Sequence, residues 1–494
     1  MPRMMEDEAC SSSSGVKRVR WDESVVDRAG KNDFGDTNTA SGLDQKADAR
    51  QVLPVVPSCS ANEAIRLMSV TLGAASEQLE AGKEYKPEFT HQLFDGERIV
   101  GYAEGEVTIR IRYARTSLHF WVEINTCDNN TAREAEILTR LSRALPTQDC
   151  STDKSDIVRL LEGKRTVFKP PGSRSHDYTR GEKTFAVYRA TGKDPEAREY
   201  HERAQSLAPW FIETADRIDL SDDRWEVFYL FEEETPREVL GEKWRPVALA
   251  GYFTVFGFRN PVKGISWRIC QALVLPQYQR QGHGQALLAF LYDMARERES
   301  VFEITVEDPA PGFEKLRNLV DARLLRDHKA FPDELLLPQT FQRPTKECVQ
   351  AAHKALKLTL SQIEIAFDIL KARDVPALAM TTATTTTIDA SAVSSKNGDN
   401  PNPESKPDIA GVESALGGGT GEVEETRKRY RLMVKRRLLK RYGEELAVDA
   451  PTRKRQLEEF YREVEGAFLD MGAKLVGEEG RRGSAKDVFG NGLG

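Results

Sequence analysis

Apolar positions recur at every second residue over Val107, Ile109, Ile111 and Tyr113, and an alternation resumes over His119, Trp121 and Glu123. A period of two predicts a two-stranded hairpin with its turn near residues 114–117. Between residues 199 and 216 the period lengthens. Ala204, Leu207, Trp210, Phe211 and Ala215 fall at helical spacing, which predicts a helix with one buried face. Residues 225–231 and 247–258 are apolar on both faces, as central strands of a sheet are. Ile265, Trp267 and Ile269 alternate again, and Ala272, Leu273, Val274 and Leu275 run apolar into Pro276, which cannot donate to a ladder and ends the strand. Beyond a glycine-bearing loop, Leu287, Leu288, Leu291, Met294 and Ala295 return to the helical period, and residues 302–306 form a further short strand.

These elements divide the chain. Residues 1–55 are rich in Ser, Asp, Lys and Gly and cannot bury enough apolar surface to offset ordering entropy, so they are expected to be a disordered tail. Residues 56–190 are expected to form a small mixed α/β domain and residues 191–325 the core. Residues 345–373 and 422–468 carry many Leu, Lys, Arg and Glu and few β-branched runs, which predicts a helical domain in two parts, 326–375 and 422–475. Between them, 376–421 holds a threonine run at 384–387 and the triplet Gly417, Gly418, Gly419, and is expected to be a disordered insertion; 476–494 is expected to be a flexible tail.

Composition narrows the classes. A chain of 494 residues is long enough for two or three domains with substantial cores. Its net charge of -7, from 71 basic and 78 acidic residues, gives no global basic field for nucleic acid and slightly favours a basic partner. The six cysteines, Cys10, Cys59, Cys127, Cys150, Cys270 and Cys348, form no CxxC pair, which argues against a zinc site and a disulfide framework. The start of the chain is acidic and serine-rich where a secretory signal needs an apolar core, and no apolar run approaches membrane-spanning length. A soluble protein of a reducing, intracellular compartment is expected. Lys17-Arg18-Val19-Arg20 fits a nuclear import signal, although a solvated charge cluster is the commoner role of so short a run.

The candidate chemistry lies in the loop Gln279-Arg280-Gln281-Gly282-His283-Gly284, between a strand and a helix. There the first N–H groups of the helix and its dipole favour an anion, and glycine lets backbone approach phosphate closely. A glycine pair alone equally marks a tight turn. Its context excludes two alternatives: no GK[ST] follows, and Leu287 stands where the dinucleotide fingerprint needs a third glycine. The remaining Q/RxxGxG/A pattern resembles the coenzyme A loop of the GNAT acetyltransferase superfamily. Further blocks narrow the resemblance: Trp210-Phe211-Ile212-Glu213-Thr214-Ala215, Asp222-Asp223-Arg224-Trp225, the segment ITVEDP at 304–309, Lys315-Leu316-Arg317, Tyr430-Arg431-Leu432 and Lys435-Arg436-Arg437-Leu438. Together they resemble the catalytic subunits of type B histone acetyltransferases, over about 87–320 and again in the carboxyl-terminal helices.

That resemblance implies a fold of mixed α+β / α/β class: a GNAT acetyltransferase core, a small amino-terminal mixed domain and a carboxyl-terminal helical domain. It implies acetyl-CoA as co-substrate and no metal. The acceptor it implies is a lysine in the tail of newly made H-four histone, with its histone dimer partner, and a β-propeller (WD-repeat) histone chaperone is the further partner. Nucleus and cytoplasm are the expected locations, with no direct nucleic acid and no membrane.

A lysine amine, with an unperturbed pKa of about 10.4, must lose a proton before it attacks a thioester, so a base is needed. Glu307 and Asp308 end a strand before Pro309. In isolation such a pair is most often a solvated acidic turn; the resemblance carries it over as catalytic, with Glu307 the preferred base and Glu213 a third candidate carboxylate. Transfer would then be direct within a ternary complex. By the same resemblance Ala272, Leu273 and Val274 pair with the pantetheine arm. Gln279, Arg280, Gln281, Gly282, His283, Gly284 and Gln285 hold the pyrophosphate, His283 chiefly through its backbone, and Gly312 with Phe313 borders the arm or the adenine end. Trp225, Phe256 and Phe258 line the peptide groove, where aromatics suit a cationic peptide, although core packing is the ordinary role of each. Glu134 and Glu136 fall where the family has an acidic patch, from which Leu138 departs. Two other readings compete: a GNAT enzyme acting on protein amino termini or a small amine, disfavoured by the long flanking domains, and an inactive histone-binding scaffold, disfavoured by the intact loop and carboxylates.

Overall fold

The computed structural model describes residues 56–72, 79–164, 168–235, 237–239, 242–244, 246–375 and 413–489. The expected amino-terminal tail, with Cys10 and Lys17-Arg18-Val19-Arg20, lies outside the described residues, as do 376–412 with the threonine run.

In the amino-terminal domain, β1 (Ser58–Ser60) is followed by α1 (Ala61–Ala64), β2 (Ile65–Leu72), β3 (Leu79–Ala81), β4 (Arg98–Val100), β5 (Val107–Ala114), β6 (Phe120–Thr126), α2 (Thr131–Leu141), β7 (Cys150–Ser151) and α3 (Lys154–Lys164). β1 pairs with β4, and the remaining strands form a sheet in the order β3-β2-β5-β6-β7. The expected hairpin is β5 with β6, antiparallel with Tyr113 opposite Phe120 and Ile111 opposite Val122. That register buries Phe120 and Val122. Trp121 therefore lies on the other face, where the Arg112 guanidinium stacks on it at 4.2 Å. The hairpin tip also docks on the core: Leu249 N–H donates to Arg115 O at 2.9 Å, Thr116 Oγ1 to Val247 O at 2.7 Å, and the buried Arg203 Nε to Ser117 O at 2.8 Å.

The core comprises β8 (Ser173–Arg180), β9 (Lys183–Thr191), α4 (Pro195–Ala204), β10 (Trp225–Glu233), β11 (Arg237–Val239), β12 (Glu242–Trp244), β13 (Val247–Asn260), β14 (Gly264–Val274), α5 (His283–Glu297) and β15 (Val301–Val306). β11 and β12 pair with each other, and the six long strands form one sheet in the order β15-β14-β13-β10-β9-β8. The sheet thus begins at Ser173, within the segment assigned on sequence to the preceding domain, because β9 pairs residue by residue with β10 from Thr184 to Thr191. The helix expected over 199–216 is shorter and starts earlier. Asp194 caps it with Pro195 in the first turn, and after Ala204 the chain tightens into a 3-10 stretch that ends at Trp210, next to Pro209, which has no N–H to continue the ladder.

The carboxyl-terminal part is helical among the described residues: α6 (Pro311–Asp327), α7 (Asp333–Leu336), α8 (Lys346–Leu356), α9 (Leu360–Ala372), α10 (Glu413–Tyr442) and α11 (Ala450–Phe489). α10 starts inside the expected insertion, and α11 continues beyond 476. These helices buttress the core. Buried Arg317 of α6 donates to Ile304 O of β15 at 3.0 Å, and Gln362 of α9 donates to the fully buried Asp321 of α6 at 2.8 Å. The outer edge of β15 is bridged at one point, where Ile304 N–H donates to Lys357 O at 2.8 Å. No helix is long and apolar enough to cross a membrane among the described residues.

His201 of α4 is fully buried, its Nδ1 at 3.1 Å from Tyr229 Oη, and burial depresses its pKa to about 3. The unfolded chain therefore takes up a proton that the folded one refuses. Stability contributed by the neutral ring is complete above about pH 6.5 and is lost as pH falls from there toward the folded value. In urea titrations between pH 6 and 5, His201→Gln is expected to flatten the pH slope of the unfolding free energy by up to about 1.4 kcal/mol per pH unit relative to the parent.

Candidate active site

β14 and β15 run parallel from Ile265 opposite Val301 to Ile269 opposite Val306, and there they part. The last bond between them is Glu307 N–H to Ile269 O at 2.9 Å. Two local features separate the strands. Cys270 is an extra residue in β14, since the register with β13 jumps from Gln271 opposite Thr254 to Ile269 opposite Val255, and a bulge bends its strand. On β15, Asp308 has a positive φ of 31° and Pro309 follows, so neither extends the ladder. The β15-side edge of residues 270–274, which include Ala272, Leu273 and Val274, consequently has no strand partner among the described residues. An extended group can add there as a strand would.

Two helix N-termini face this part of the chain. α2, α4, α8 and α9 each begin on a side-chain cap, whereas α5 and α6 have none. The first N–H groups of α5, on His283, Gly284 and Gln285, are the orphans that such a cap would satisfy. Gly282 stands at the N-cap with φ 84°, and the nearest group to a Cβ there would be the Arg180 guanidinium at 3.5 Å. Arg180 and Arg280 have no carboxylate within 4.0 Å among the described residues. Uncapped N–H groups with two unpaired guanidiniums make this end of α5 suited to a pyrophosphate. Arg280 itself sits at φ 62°.

The other side chains of the loop serve to hold it in place. Gln279 Nε2 donates to Val274 O at 3.0 Å and Gln281 Nε2 to Gln277 O at 2.9 Å, so both amides brace the loop rather than project from it. Gln285 accepts from Arg323 at 3.0 Å, and Arg323 also pairs with Glu478 of α11. His283 is buried, with Nδ1 at 2.9 Å from Tyr178 Oη and its ring 4.2 Å from that of Phe185; burial lowers its pKa, and Arg180 lowers it further. A neutral, enclosed ring leaves only the His283 backbone for a ligand. Gly284 is tight for a different reason: a Cβ there would lie 2.8 Å from Leu316 Cδ1 of α6. Gly312, in the first turn of α6, has open space around it, and Phe313 packs edge-on to Phe253 at 5.7 Å.

Trp225, Phe256 and Phe258 meet as an edge-to-face ladder, with ring centroids 4.8 and 4.7 Å apart. Phe256 is opposite Trp225 on one side and Arg268 on the other, so the ladder crosses one face of β10, β13 and β14. Arg224 stacks on Phe256 at 4.5 Å and Arg268 on Phe258 at 4.3 Å. Cys270 Sγ donates to Arg268 O at 3.5 Å, and burial, then the neighbouring Glu307 carboxylate, push its thiol up to about 12. Glu307 and Asp308 are exposed. The loop bearing Glu213 is tied to the same strand, for Gln271 Nε2 donates to Asp216 O at 2.7 Å. Glu134 and Glu136 lie on α2 of the amino-terminal domain, where Glu134 accepts from Thr126 at 2.9 Å and Glu136 from Arg140 at 3.3 Å.

Sequence reasoning missed Arg180, Arg268 and Cys270. Arg180 had no signal, because it reaches Gly282 only through the order of strands in the sheet. Cys270 could have been suspected from its position beside the apolar run at 272–275. Among the described residues no group of His, Cys, Asp and Glu could hold a metal ion.

Comparison with known proteins adds the following. Residues 57–213 match the family described as histone acetyl transferase HAT1 N-terminus, and residues 196–312 match the acetyltransferase (GNAT) family. A histone acetyltransferase type B catalytic subunit of Dictyostelium discoideum is 32% identical over 265 residues, covering 51% of this chain and 54% of that protein. The human protein of that name is 33% identical over 324 residues, covering 63% of this chain and 74% of the relative. The rat protein of that name is 34% identical over the same length. The chain thus spans about half of the Dictyostelium relative and about three quarters of the mammalian ones. A solved aminoglycoside acetyltransferase from a soil metagenomic sample is 16% identical, covering 30% of this chain and 86% of its own, with a TM-score of 0.19. That likeness is too slight to bear on the fold.

The two loop glycines should respond differently to a methyl group. At Gly282 the left-handed backbone makes alanine cost about 1–2 kcal/mol, whereas at Gly284 the obstacle is the free end of Leu316, which can swing aside. Urea midpoints are expected to fall clearly for Gly282→Ala and little for Gly284→Ala. The reverse order would mean that Leu316 is not what confines Gly284.

Proposed function

The chain belongs to the family of type B histone acetyltransferase catalytic subunits, with a GNAT core, and from that premise we propose the following reaction. It moves the acetyl group of acetyl-CoA to the side-chain amine of a lysine in the tail of newly synthesised, non-nucleosomal H-four histone. The observation that carries this reading is the meeting of three features along one strand: the unpaired stretch of β14, the Glu307 carboxylate beside Cys270, and the aromatic ladder whose middle member, Phe256, lies opposite Arg268 of the same strand.

The acceptor arrives mostly as ammonium, and Glu307 takes its proton first; the free amine then attacks the thioester carbonyl, the C–S bond breaks, and coenzyme A leaves as a thiolate that takes up the proton shed by the new amide nitrogen. Because Glu307 is exposed, the proton can pass on to water without a relay. Acetyl-CoA supplies an activated thioester, so no enzyme nucleophile is required. Cys270 does not fill that role. Its raised pKa keeps it a neutral thiol at pH 7, and the thiolate is the nucleophilic form. The neutral thiol donates to Arg268 O at 3.5 Å and stays a spectator beside the Glu307 carboxylate. Asp308 and Glu213 supply negative potential at the same end of the sheet, and the ladder offers ring faces to the alkyl stems and cations of the tail. The uncapped end of α5, with Arg180 and Arg280, holds the pyrophosphate, and the free edge at 270–274 takes the pantetheine amides. A β-propeller histone chaperone as partner, and a distribution between nucleus and cytoplasm, rest on family membership.

Incubating the full chain with acetyl-CoA and an H-four tail peptide should yield acetyl-lysine by mass spectrometry. Coenzyme binding without acetyl-lysine would overturn the acceptor assignment. Glu307→Gln is expected to retain coenzyme affinity while kcat falls by roughly 10²–10⁴; unchanged turnover would move the base elsewhere. In the absence of peptide, no acetyl group should appear on Cys270, and its detection there would replace direct transfer by a two-step route.

A further inference from the structure

Away from the acetyl-transfer edge, α8, α9 and α10 enclose a cavity of about 420 Å³. Val349 and the aliphatic stems of its neighbours form an apolar floor, and Leu360, 47% exposed, stands at the rim. Arg343, Lys346, Arg436, Arg437 and Lys440 line the opening. Arg343 and Arg437 share one buried carboxylate, Asp368, at 2.9 and 2.6 Å, and Lys440 pairs with Glu364 at 2.9 Å. Lys346 and Arg436 have no carboxylate within 4.0 Å among the described residues. Five cations against two carboxylates leave a local excess of three positive charges on a chain whose net charge is -7.

Two further features point outward from this cavity. Lys346 is the first residue of α8, where the helix dipole disfavours a cation, so its charge works against the helix it starts. A bound anion would turn that unfavourable placement into a favourable one. On α10, Leu432 and Leu439 are 48% and 41% exposed, and with Arg436 and Lys440 they fall at i, i+4, i+7 and i+8, a single helix face that continues the rim of the cavity. Scattered exposed leucines need no explanation, but an apolar stripe with interleaved cations beside an apolar cavity has the make-up of a recognition surface. Nucleic acid would use the cations and leave the apolar floor without a counterpart.

We propose that this cavity and the adjoining face of α10 bind an acidic peptide segment of a partner protein, with a large apolar side chain in the cavity and its carboxylates on Lys346 and Arg436. The mode is the seating of an amphipathic segment in a groove, with charge steering its approach.

The test uses the full chain and a fluorescein-labelled 15-residue peptide of Asp and Glu with leucine at every fourth position. A second peptide has serine in place of leucine, and a 20-base-pair duplex serves as the polyanion control. In fluorescence anisotropy at 150 mM salt the leucine peptide should bind, and both the serine peptide and the variant Lys346→Glu/Arg436→Glu should show at least a tenfold weaker interaction. Both exchanged side chains are exposed and unpaired, so folding is not at stake, and acetyl transfer to a histone peptide should be unchanged in the variant. The proposal is overturned by failure of the leucine peptide to bind up to 100 µM. Equal binding of the two peptides, undiminished affinity in the variant, or tighter binding of the duplex would overturn it as well.

Discussion

Where β14 and β15 stop pairing, backbone groups along residues 270–274 are left without a strand beside them, and the candidate chemistry gathers around that opening. The cost of unmatched backbone is tolerable because the edge is open to an extended partner. The bulge at Cys270 is the device that creates it: one extra residue bends β14 and turns the thiol to face Glu307. A continuous ladder here would have kept both strands paired and closed the opening.

The opening must also be held to size, and the helices do this. Arg317 and Asp321 of α6, with Gln362 of α9, tie β15 to the carboxyl-terminal domain. Arg323 links α6 to Gln285 of α5 and to Glu478 of α11, which lies 155 residues beyond Arg323, so α5 is braced from far along the chain. Gly284 admits Leu316 between α5 and α6, bringing two uncapped N-termini toward one region. The carboxyl-terminal helices thus act as a clamp on the open edge of β14.

Electrostatics divide the surface by task. The end of β15 has exposed carboxylates at Glu307 and Asp308, the α5 terminus has two guanidiniums without a carboxylate among the described residues, and the cavity between α8 and α10 has its own positive excess. A net charge of -7 conceals this separation, because a sum over the chain carries no information about where charges meet.

Period and punctuation were enough to place the central strands, the helix expected from Gln285, which in fact begins two residues earlier at His283, and the strand ending at Val306, since apolar spacing and Pro276 are local signals. The glycine loop was legible for the same reason, although the sequence could not show that Gly282 needs its backbone conformation while Gly284 needs space for Leu316. The helix expected over 199–216 ends at Ala204 and gives way to a 3-10 stretch that contains Pro209, a local breaker outweighed in the reading by apolar periodicity. The face of the hairpin was set by its register, which one residue of slip inverts. Only the tertiary structure could decide what meets across the sheet. Arg180 reaches Gly282, Cys270 reaches Glu307, and Trp225, Phe256 and Phe258 join in one ladder because strand order and a bulge bring them together, and neither is written in the spacing of any single segment.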